Sequence, residues 1–417
     1  LNLKNISVRW TLVILIILLI EIYAFQSFKT LFKFNWISKV YLSINFLIYI
    51  FLFLSYLYLN YYSLNISDLF YDYLSIPMAF LITLLGFKLI ICSFLFFEDI
   101  VRVLTFSVKF LFSFNDSNDI FIQRRQFVSK IALFLASIPL PFVVYGIFKG
   151  RYNYKVINYE LEFEDLPEKF DGFQLTQISD IHCGSLKNSE EVEYAVNLIN
   201  KQKSDLVLFT GDFVNSKANE LIKWKDVFSK IEASCGKYSI LGNHDYGDYV
   251  SWDTKDEKKK NFNQLLNLQR EMGFKMLLNE NVKISKEKQS INIIGVENWG
   301  KGGFKKNGDI DKACQGLNNE SFKIVMTHDP SHWEKKLLNH QTHFHLTLSG
   351  HTHGMQFGIE IPGWIKWSPI KWAYKYWAGL YLEKGQYLNV NRGFGVLAFP
   401  GRVGIWPEIT VIKLKKI

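Results

Sequence analysis

Four apolar runs near the start of the sequence, approximately Trp10–Phe25, Ile37–Leu59, Leu74–Phe97 and Phe127–Phe148, are nearly free of charge. In lipid every backbone N–H and C=O must be satisfied within the protein, and about 20 residues of helix cross the hydrocarbon layer. The runs therefore predict an all-α membrane domain of about four transmembrane helices over residues 1–150. Core helices of a soluble protein do not account for them, because those carry a charged face. The first run is short and has Glu21 near its end, and the fourth is interrupted by Pro139 and Pro141. Between the last two, Val101–Phe114 reads as an amphipathic helix lying in the interface. Hydrophobic residues make up 49% of the chain and charged residues 21%, averages that merge two unlike halves. Residues 151–417 have the mixed composition of a soluble domain.

Charge orients the runs. Asn60–Tyr73 contains Asp68 and Asp72 and neither Lys nor Arg, whereas Arg102, Lys109, Arg124, Arg125 and Lys130 cluster before and at the fourth run. Positive residues collect on the cytoplasmic side, which places residues after 150 outside the cytoplasm, at a bacterial inner membrane. Lys149, Arg151 and Lys155 pull the other way. Arg124-Arg125-Gln126-Phe127-Val128-Ser129-Lys130 resembles a twin-arginine export signal set inside the chain; alternatively the two arginines anchor the fourth run at the inner interface. Both readings put the arginines inside. The formal charge of +9 fits such loops, and no nucleic-acid partner is expected. Cys92, Cys183, Cys235 and Cys314 show no paired spacing, so neither a disulfide framework nor a zinc ribbon is indicated.

From Tyr152 onward the pattern alternates. Tyr154–Phe163, Phe173–Ser179, Leu206–Phe209, Tyr238–Leu241, Ile291–Gly295, Lys323–Thr327 and His345–Leu348 read as strands. Glu190–Asn200, Glu220–Glu232 and Phe262–Met272 have helical spacing, and Asp253–Lys260 reads as a solvated loop. Five short motifs are set among these elements: Asp180-Ile-His182, Gly211-Asp212, Gly242-Asn243-His244-Asp245, His328 and Gly350-His351-Thr352-His353. Several follow strand ends directly, where α/β sheets present their ligands. Each motif alone is weak; the set, in this order, supplies carboxylates and neutral imidazoles for borderline divalent cations such as manganese, iron, zinc or cobalt. His332, His340, His343 and His345 belong to no motif and are assigned to surface or core.

These residues resemble the calcineurin-like metallophosphoesterase family, over about residues 170–417. The ending Asn391-Arg392-Gly393-Phe394-Gly395 and Pro407-Glu408-Ile409 is similar to its membrane-associated bacterial branch of phosphodiesterases. The resemblance implies a four-layer α/β/β/α sandwich and two divalent metal ions. One ion would be held by Asp180, His182, Asp212 and His353, the other by Asp212, Asn243, His328 and His351. Such a pair acidifies a water held between the ions, and His244 would protonate the leaving oxygen. One position departs from the pattern: many phosphatases of this superfamily carry an Asp three residues after the Gly-Asp aspartate, and this chain has Asn215. A neutral amide can orient an imidazole but gives an imidazolium less electrostatic support.

Gly363–Leu382 interleaves Trp364, Trp367, Trp372, Tyr374, Tyr376, Trp377 and Tyr381 with Lys366, Lys371 and Lys375. Trp, Tyr and Lys are residues of the bilayer interface. The segment reads either as dipping into the membrane surface, bringing a lipid-linked phosphoester to the site, or as a hairpin packed on the sheet. Arg392 and Arg402 are candidates to clamp the substrate phosphate. The reading is a membrane-anchored, extracytoplasmic phosphoesterase acting on a phosphodiester or pyrophosphate. Its rivals are a UDP-2,3-diacylglucosamine pyrophosphate hydrolase of lipid A synthesis, and a membrane receptor or scaffold with a structural metal site.

Overall fold

Pro139 ends one helix and opens the next, the single sharp break in the last apolar run. The helices are Leu3–Phe32, Trp36–Tyr61, Ser75–Phe112, Asp119–Ser137 and Pro139–Phe148. The computed structural model describes residues 3–32, 35–61, 73–112, 119–361 and 363–417. The chain divides into two units, Leu1–Val144 and Tyr145–Ile417. Among the described residues, Leu15–Phe32, Trp36–Ser55, Ser75–Leu111 and Gln123–Phe148 are long and apolar enough to cross a bilayer. Most of the connection holding Asp68 and Asp72 lies outside the described residues. The separate interfacial helix expected at Val101–Phe114 does not form: Ser75–Phe112 is one continuous helix. No Gly or Pro between Glu98 and Phe112 offers a break.

In the first unit large apolar side chains such as Leu19, Phe53, Phe97 and Phe134 point outward, while Ala24, Ala79, Ala132 and Ala136 are buried. Small residues at helix contacts are what close packing in lipid requires. Among the described residues, the buried charges Lys88 and Glu98 are paired. Lys88 pairs with Glu21, and its ammonium lies 2.5 Å from Asn45 Oδ1 and 3.1 Å from the Tyr49 hydroxyl. Arg125 Nη1 lies 2.6 Å from Glu98 Oε2 and 2.8 Å from Asp99 Oδ1, and Arg124 Nη2 lies 3.2 Å from Glu98 Oε1. The two arginines of the export-like motif thus have carboxylate partners one helix away.

The second unit is built on strands β1 (Lys155–Phe163), β2 (Gln174–Ile178), β3 (Leu206–Phe209), β4 (Lys237–Ser239), β5 (Phe274–Met276), β6 (Glu280–Lys286), β7 (Gln289–Gly295), β8 (Lys323–Met326), β9 (Leu346–Ser349), β10 (Ile359–Ile361), β11 (Ile365–Trp367), β12 (Gly379–Glu383), β13 (Gln386–Val390) and β14 (Glu408–Lys416). Two six-stranded sheets result, of order β1-β14-β2-β3-β4-β5 and β12-β13-β9-β8-β7-β6, beside the β10–β11 hairpin. Strands β2, β3 and β4 are parallel, as are β7, β8, β9 and β13. Alternation sorts their side chains: Leu206 and Leu208 of β3 join Ile324 and Met326 of β8 in one core between the sheets. Val207 and Phe209 face the other way, onto Val192 and Ile199 of the helix Ser189–Lys201. Val325 packs with Trp333 and Leu337 on the outer side of the second sheet. Helix, sheet, sheet and helix make the four-layer sandwich.

Two local expectations are corrected. Helical spacing over Glu220–Glu232 resolves into two short helices, Asn219–Ile222 and Lys225–Ser229. Buried Trp224 sits between them and donates its indole N–H to the Cys183 carbonyl at 3.1 Å, a tertiary contact that overrides local preference. The charged stretch Asp253–Lys260 is largely helix, since Lys255–Glu271 starts after Thr254, whose hydroxyl caps the Glu257 N–H at 3.1 Å.

Candidate metal centre

All five motifs arrive at one edge. Asp180 and His182 follow β2, Asp212 follows β3, Asn243 and His244 follow β4, His328 follows β8, and His351 and His353 follow β9. These are the carboxyl ends of parallel strands from both sheets, so one edge collects loops from each layer. The loops are bonded to one another: Asp180 N–H donates to the Gly211 carbonyl and Gly350 N–H to the His328 carbonyl, both at 2.9 Å. A Cβ at Gly242 would run into the Asp212 carboxylate, and one at Gly350 into Asp180, so these two sites admit only glycine. Backbone strain concentrates here. Asp180, His182, Asp212, His351 and His353 have φ of 52°, 48°, 64°, 71° and 51°. Side-chain-bearing residues adopt that region rarely, and it persists where surrounding structure over-determines it.

The donor atoms form two sets. In the first, His182 Nε2 lies 3.1 Å from His353 Nε2 and 3.6 Å from Asp212 Oδ2, and His353 Nε2 lies 3.2 Å from Asp180 Oδ1. In the second, His328 Nε2 lies 3.2 Å from Asp212 Oδ2, 3.1 Å from Asn243 Oδ1 and 3.2 Å from His351 Nδ1, which is itself 2.9 Å from Asn243 Oδ1. Asp212 Oδ2 belongs to both. Ring nitrogens and amide and carboxylate oxygens converging this closely are the donor chemistry of borderline divalent cations, so the residues fit a metal centre. The sequence-predicted residues Asp180, His182, Asp212, Asn243, His328, His351 and His353 are all brought together.

Partners outside the two sets fix ring orientation. His328 donates its Nδ1–H to the Thr210 carbonyl at 2.8 Å, which aims Nε2 at the other donor atoms. His351 Nε2 lies 2.9 Å from the Tyr374 hydroxyl, which donates to Asp329 Oδ2 at 3.2 Å, leaving Nδ1 free to coordinate. Asn243 donates its amide to the Tyr249 hydroxyl at 2.8 Å, which turns its oxygen inward. Asp245 accepts the N–H groups of Asp212 (2.8 Å), Phe213 (2.9 Å), Val214 (3.4 Å) and Gly242 (2.9 Å), tying the β3 and β4 loops together. Sequence reasoning gave Asp245 and Asp329 no role and placed Tyr374 only in the aromatic segment. Asp245 and Asp329 each directly follow a motif histidine, which was the available signal.

The electrostatics suit a cation. Burial holds His182 and His351 below the ordinary imidazole range, favouring the neutral, coordinating form. Against the burial that opposes charge, neighbouring imidazoles hold Asp180 and Asp212 below the usual carboxylate range. At His328 the carboxylates of Asp212 and Asp180 outweigh burial and push the ring up to about 10. The pocket draws positive charge to the atoms where the two donor sets meet.

His244 lies beside the first set, its ring edge-on to His182 at 4.9 Å and stacked on Tyr249 at 4.3 Å. Its Nδ1–H donates to Asn215, but to the main-chain carbonyl, at 2.7 Å. The Asn215 amide turns instead to Ser185 Oγ at 3.1 Å, and Glu220 holds the loop through the N–H groups of Asn215, Ser216 and Lys217. The departure at position 215 therefore leaves the support of His244 intact.

The expectation for Arg392 and Arg402 is corrected. Arg392 is 4% exposed and ion-paired with both Glu360 and Glu408. Arg402 is wholly buried, with its guanidinium donating to the carbonyls of Arg392 (2.8 Å), Gly393 (3.1 Å) and Gly395 (2.7 Å). Neither presents a free fork to a phosphate; Arg402 braces the backbone beside His353, and Arg392 is held by two carboxylates.

Comparison with known proteins agrees with this geometry. Residues 173–355 match the family described as calcineurin-like phosphoesterase, and residues 8–151 match the one described as probable calcineurin-like phosphoesterase, transmembrane domain. The chain is 28% identical over 283 residues to a zebrafish (Danio rerio) transmembrane protein with metallophosphoesterase domain, covering 66% of this chain and 60% of that protein. It is 30% identical over 253 residues to the Bacillus subtilis metallophosphoesterase YkuE, covering 60% of this chain and 82% of that protein. It is 25% identical over 279 residues to the Chlamydia trachomatis UDP-2,3-diacylglucosamine pyrophosphatase LpxG, covering 55% and 81%. With its membrane helices, its sandwich and its converging Asp and His donors, this chain belongs to the calcineurin-like metallophosphoesterases, a family of phosphoester hydrolases.

Proposed function

We propose that the protein hydrolyses a phosphodiester or pyrophosphate carried on a membrane lipid, with two divalent cations, on the extracytoplasmic side of the membrane. The observation that carries this reading is Asp212 Oδ2, shared between two donor sets, each completed by two imidazoles. Asp180, His182, Asp212 and His353 would hold one cation, and Asp212, Asn243, His328 and His351 the other. Bound there, the cations supply Lewis-acid activation of water and neutralise charge on the phosphoryl oxygens. The chain's own part is to position and to move a proton. Protonated, His244 keeps its Nδ1–H on the Asn215 carbonyl and offers its Nε2–H to the leaving oxygen. The basic residues clustered between the third and fourth spans support an outward catalytic domain.

The test is hydrolysis of bis(p-nitrophenyl) phosphate by the purified full chain with added manganese, beside Asp212→Asn. Activity that requires both manganese and Asp212 supports the reading; a metal-loaded, folded protein without hydrolysis favours a receptor or scaffold. The similarity to LpxG supports a second reading, cleavage of the pyrophosphate of a nucleotide-linked acyl sugar. The first reading needs an outward catalytic domain, so protease accessibility of that domain in sealed vesicles tests it, and assay with a nucleotide-linked acyl sugar tests the second.

A further inference from the structure

The aromatic segment following His353 divides in two. Tyr374, Tyr376 and Trp377 are buried and pack inward, Tyr374 reaching the metal centre. Six apolar side chains from His353 onward are exposed instead: Met355 (54%), Phe357 (41%), Ile359 (52%), Ile361 (43%), Trp364 (77%) and Trp372 (75%). A run of exposed large apolar side chains needs an explanation, because soluble surfaces scatter such residues singly. The β10–β11 hairpin orders this run. Ile359 and Ile361 share one face by the two-residue period, while Glu360 on the other face is ion-paired with Arg392. Exposed Lys371 lies next to Trp372.

The base of the hairpin says what covers it. Phe357 forms a bridge with Val403, and Gly358 N–H donates to the Val403 carbonyl at 2.9 Å. The neighbouring Arg402 N–H donates to the carbonyl of Gly146 at 3.1 Å, and Gly401 packs tightly on Gly146 and Ile147. Gly146 and Ile147 lie near the end of the last membrane-length stretch, Gln123–Phe148. The apolar hairpin is thus rooted beside the end of a stretch long and apolar enough to cross a bilayer, and its Trp and Lys composition is that of a headgroup interface.

We propose that the β10–β11 hairpin, with Met355, Phe357 and Trp372 beside it, is a bilayer-docking element that seats the metal centre over lipid phosphoesters. The patch begins two residues after His353, so a docked headgroup phosphate lies near the donor sets. The consequence for substrate rests on the proposed phosphoesterase activity; the docking does not.

The experiment uses the full chain in nanodiscs of phosphatidylethanolamine and phosphatidylglycerol, with Cys92, Cys235 and Cys314 replaced by Ser. A fluorescent probe is placed by Trp364→Cys, and in a second protein by Tyr194→Cys, an exposed position on the helix Ser189–Lys201. Docking predicts that shallow doxyl-labelled lipids quench the probe at 364 several-fold more than at 194. Equal quenching overturns the proposal. A blue-shifted but unquenched probe at 364 also overturns it, showing that a protein or a second copy covers the hairpin. In parallel, the Trp364→Ser/Trp372→Ser double variant should lower turnover of a phospholipid phosphoester in the disc about tenfold, leaving bis(p-nitrophenyl) phosphate within about twofold. Equal loss on both substrates would assign the tryptophans to the fold. If the unmodified chain hydrolyses neither substrate, the phosphoesterase reading falls, and quenching still decides docking.

Discussion

The membrane helices and the catalytic edge both bury charge, and they do so in opposite ways. Among the helices, each buried cation meets a carboxylate of the protein: Lys88 meets Glu21, and Arg125 meets Glu98 and Asp99. At the catalytic edge, Asp180 and Asp212 meet imidazoles, and burial favours the neutral form of His182 and of the nearby His351. The first arrangement is closed, its charges balanced within the chain. The second draws in charge from outside. The difference separates a device for holding helices together from one for holding a cation, although both are clusters of buried ionisable groups.

The sharpest test of the open arrangement is Asp212→Asn, which should lower kcat/KM at least about 10³-fold, beyond the 10–100-fold typical of an outer partner. It should also remove the rise in melting temperature on adding manganese. For the closed arrangement, Lys88→Met strands Glu21 and should destabilise the helices by about 3–5 kcal/mol in detergent unfolding. The Lys88→Met/Glu21→Leu double variant should recover most of that loss, because removing both charges removes the penalty. If the single variant were neutral, the comparison would break. An intermediate effect is expected at Tyr374→Phe, which removes the hydroxyl from His351 Nε2, leaves that ring only the Asp329 carboxylate at 3.5 Å, and should weaken metal binding about 10–100-fold by titration. A pH-dependent term, absent at neutral pH, comes from His332, which burial lowers to about 3. Its folded value lies below its unfolded value of about 6.5, so the unfolded chain takes up the proton first. Stability present above about pH 6.5 is therefore lost as pH falls toward 3, by up to about 1.4 kcal/mol per pH unit. His332→Leu should flatten that part of the melting-temperature profile relative to the unmodified chain. The least effect is expected from Asn215→Asp, within about threefold in kcat, because the main-chain carbonyl at that position holds His244.

The donor residues were readable because their chemistry is tied to short local patterns: a histidine two residues after Asp180, another two residues after His351, glycines where loops must touch. The membrane helices were readable because lipid demands length and apolarity from contiguous residues. What escaped was non-local. Asp245 matters through N–H groups on a loop more than thirty positions away, and Tyr374 through a histidine 23 positions back in the loop after β9. The continuation of Ser75–Phe112 past Glu98 escaped because Arg124 and Arg125 stabilise that carboxylate from a different helix. Arg392 and Arg402 looked like phosphate ligands because a sequence shows a guanidinium but not the carbonyls and carboxylates it already faces.

Asp245 bears on the thermodynamics of metal loading. With its carboxylate bonded to N–H groups on both the β3 and β4 loops, the donor loops gain their positions when the chain folds. Binding a cation then orders little backbone and buries little apolar surface. Calorimetric titration should therefore show a heat-capacity change near zero, the mark of a rigid receptor, where coupled folding would give a large negative value.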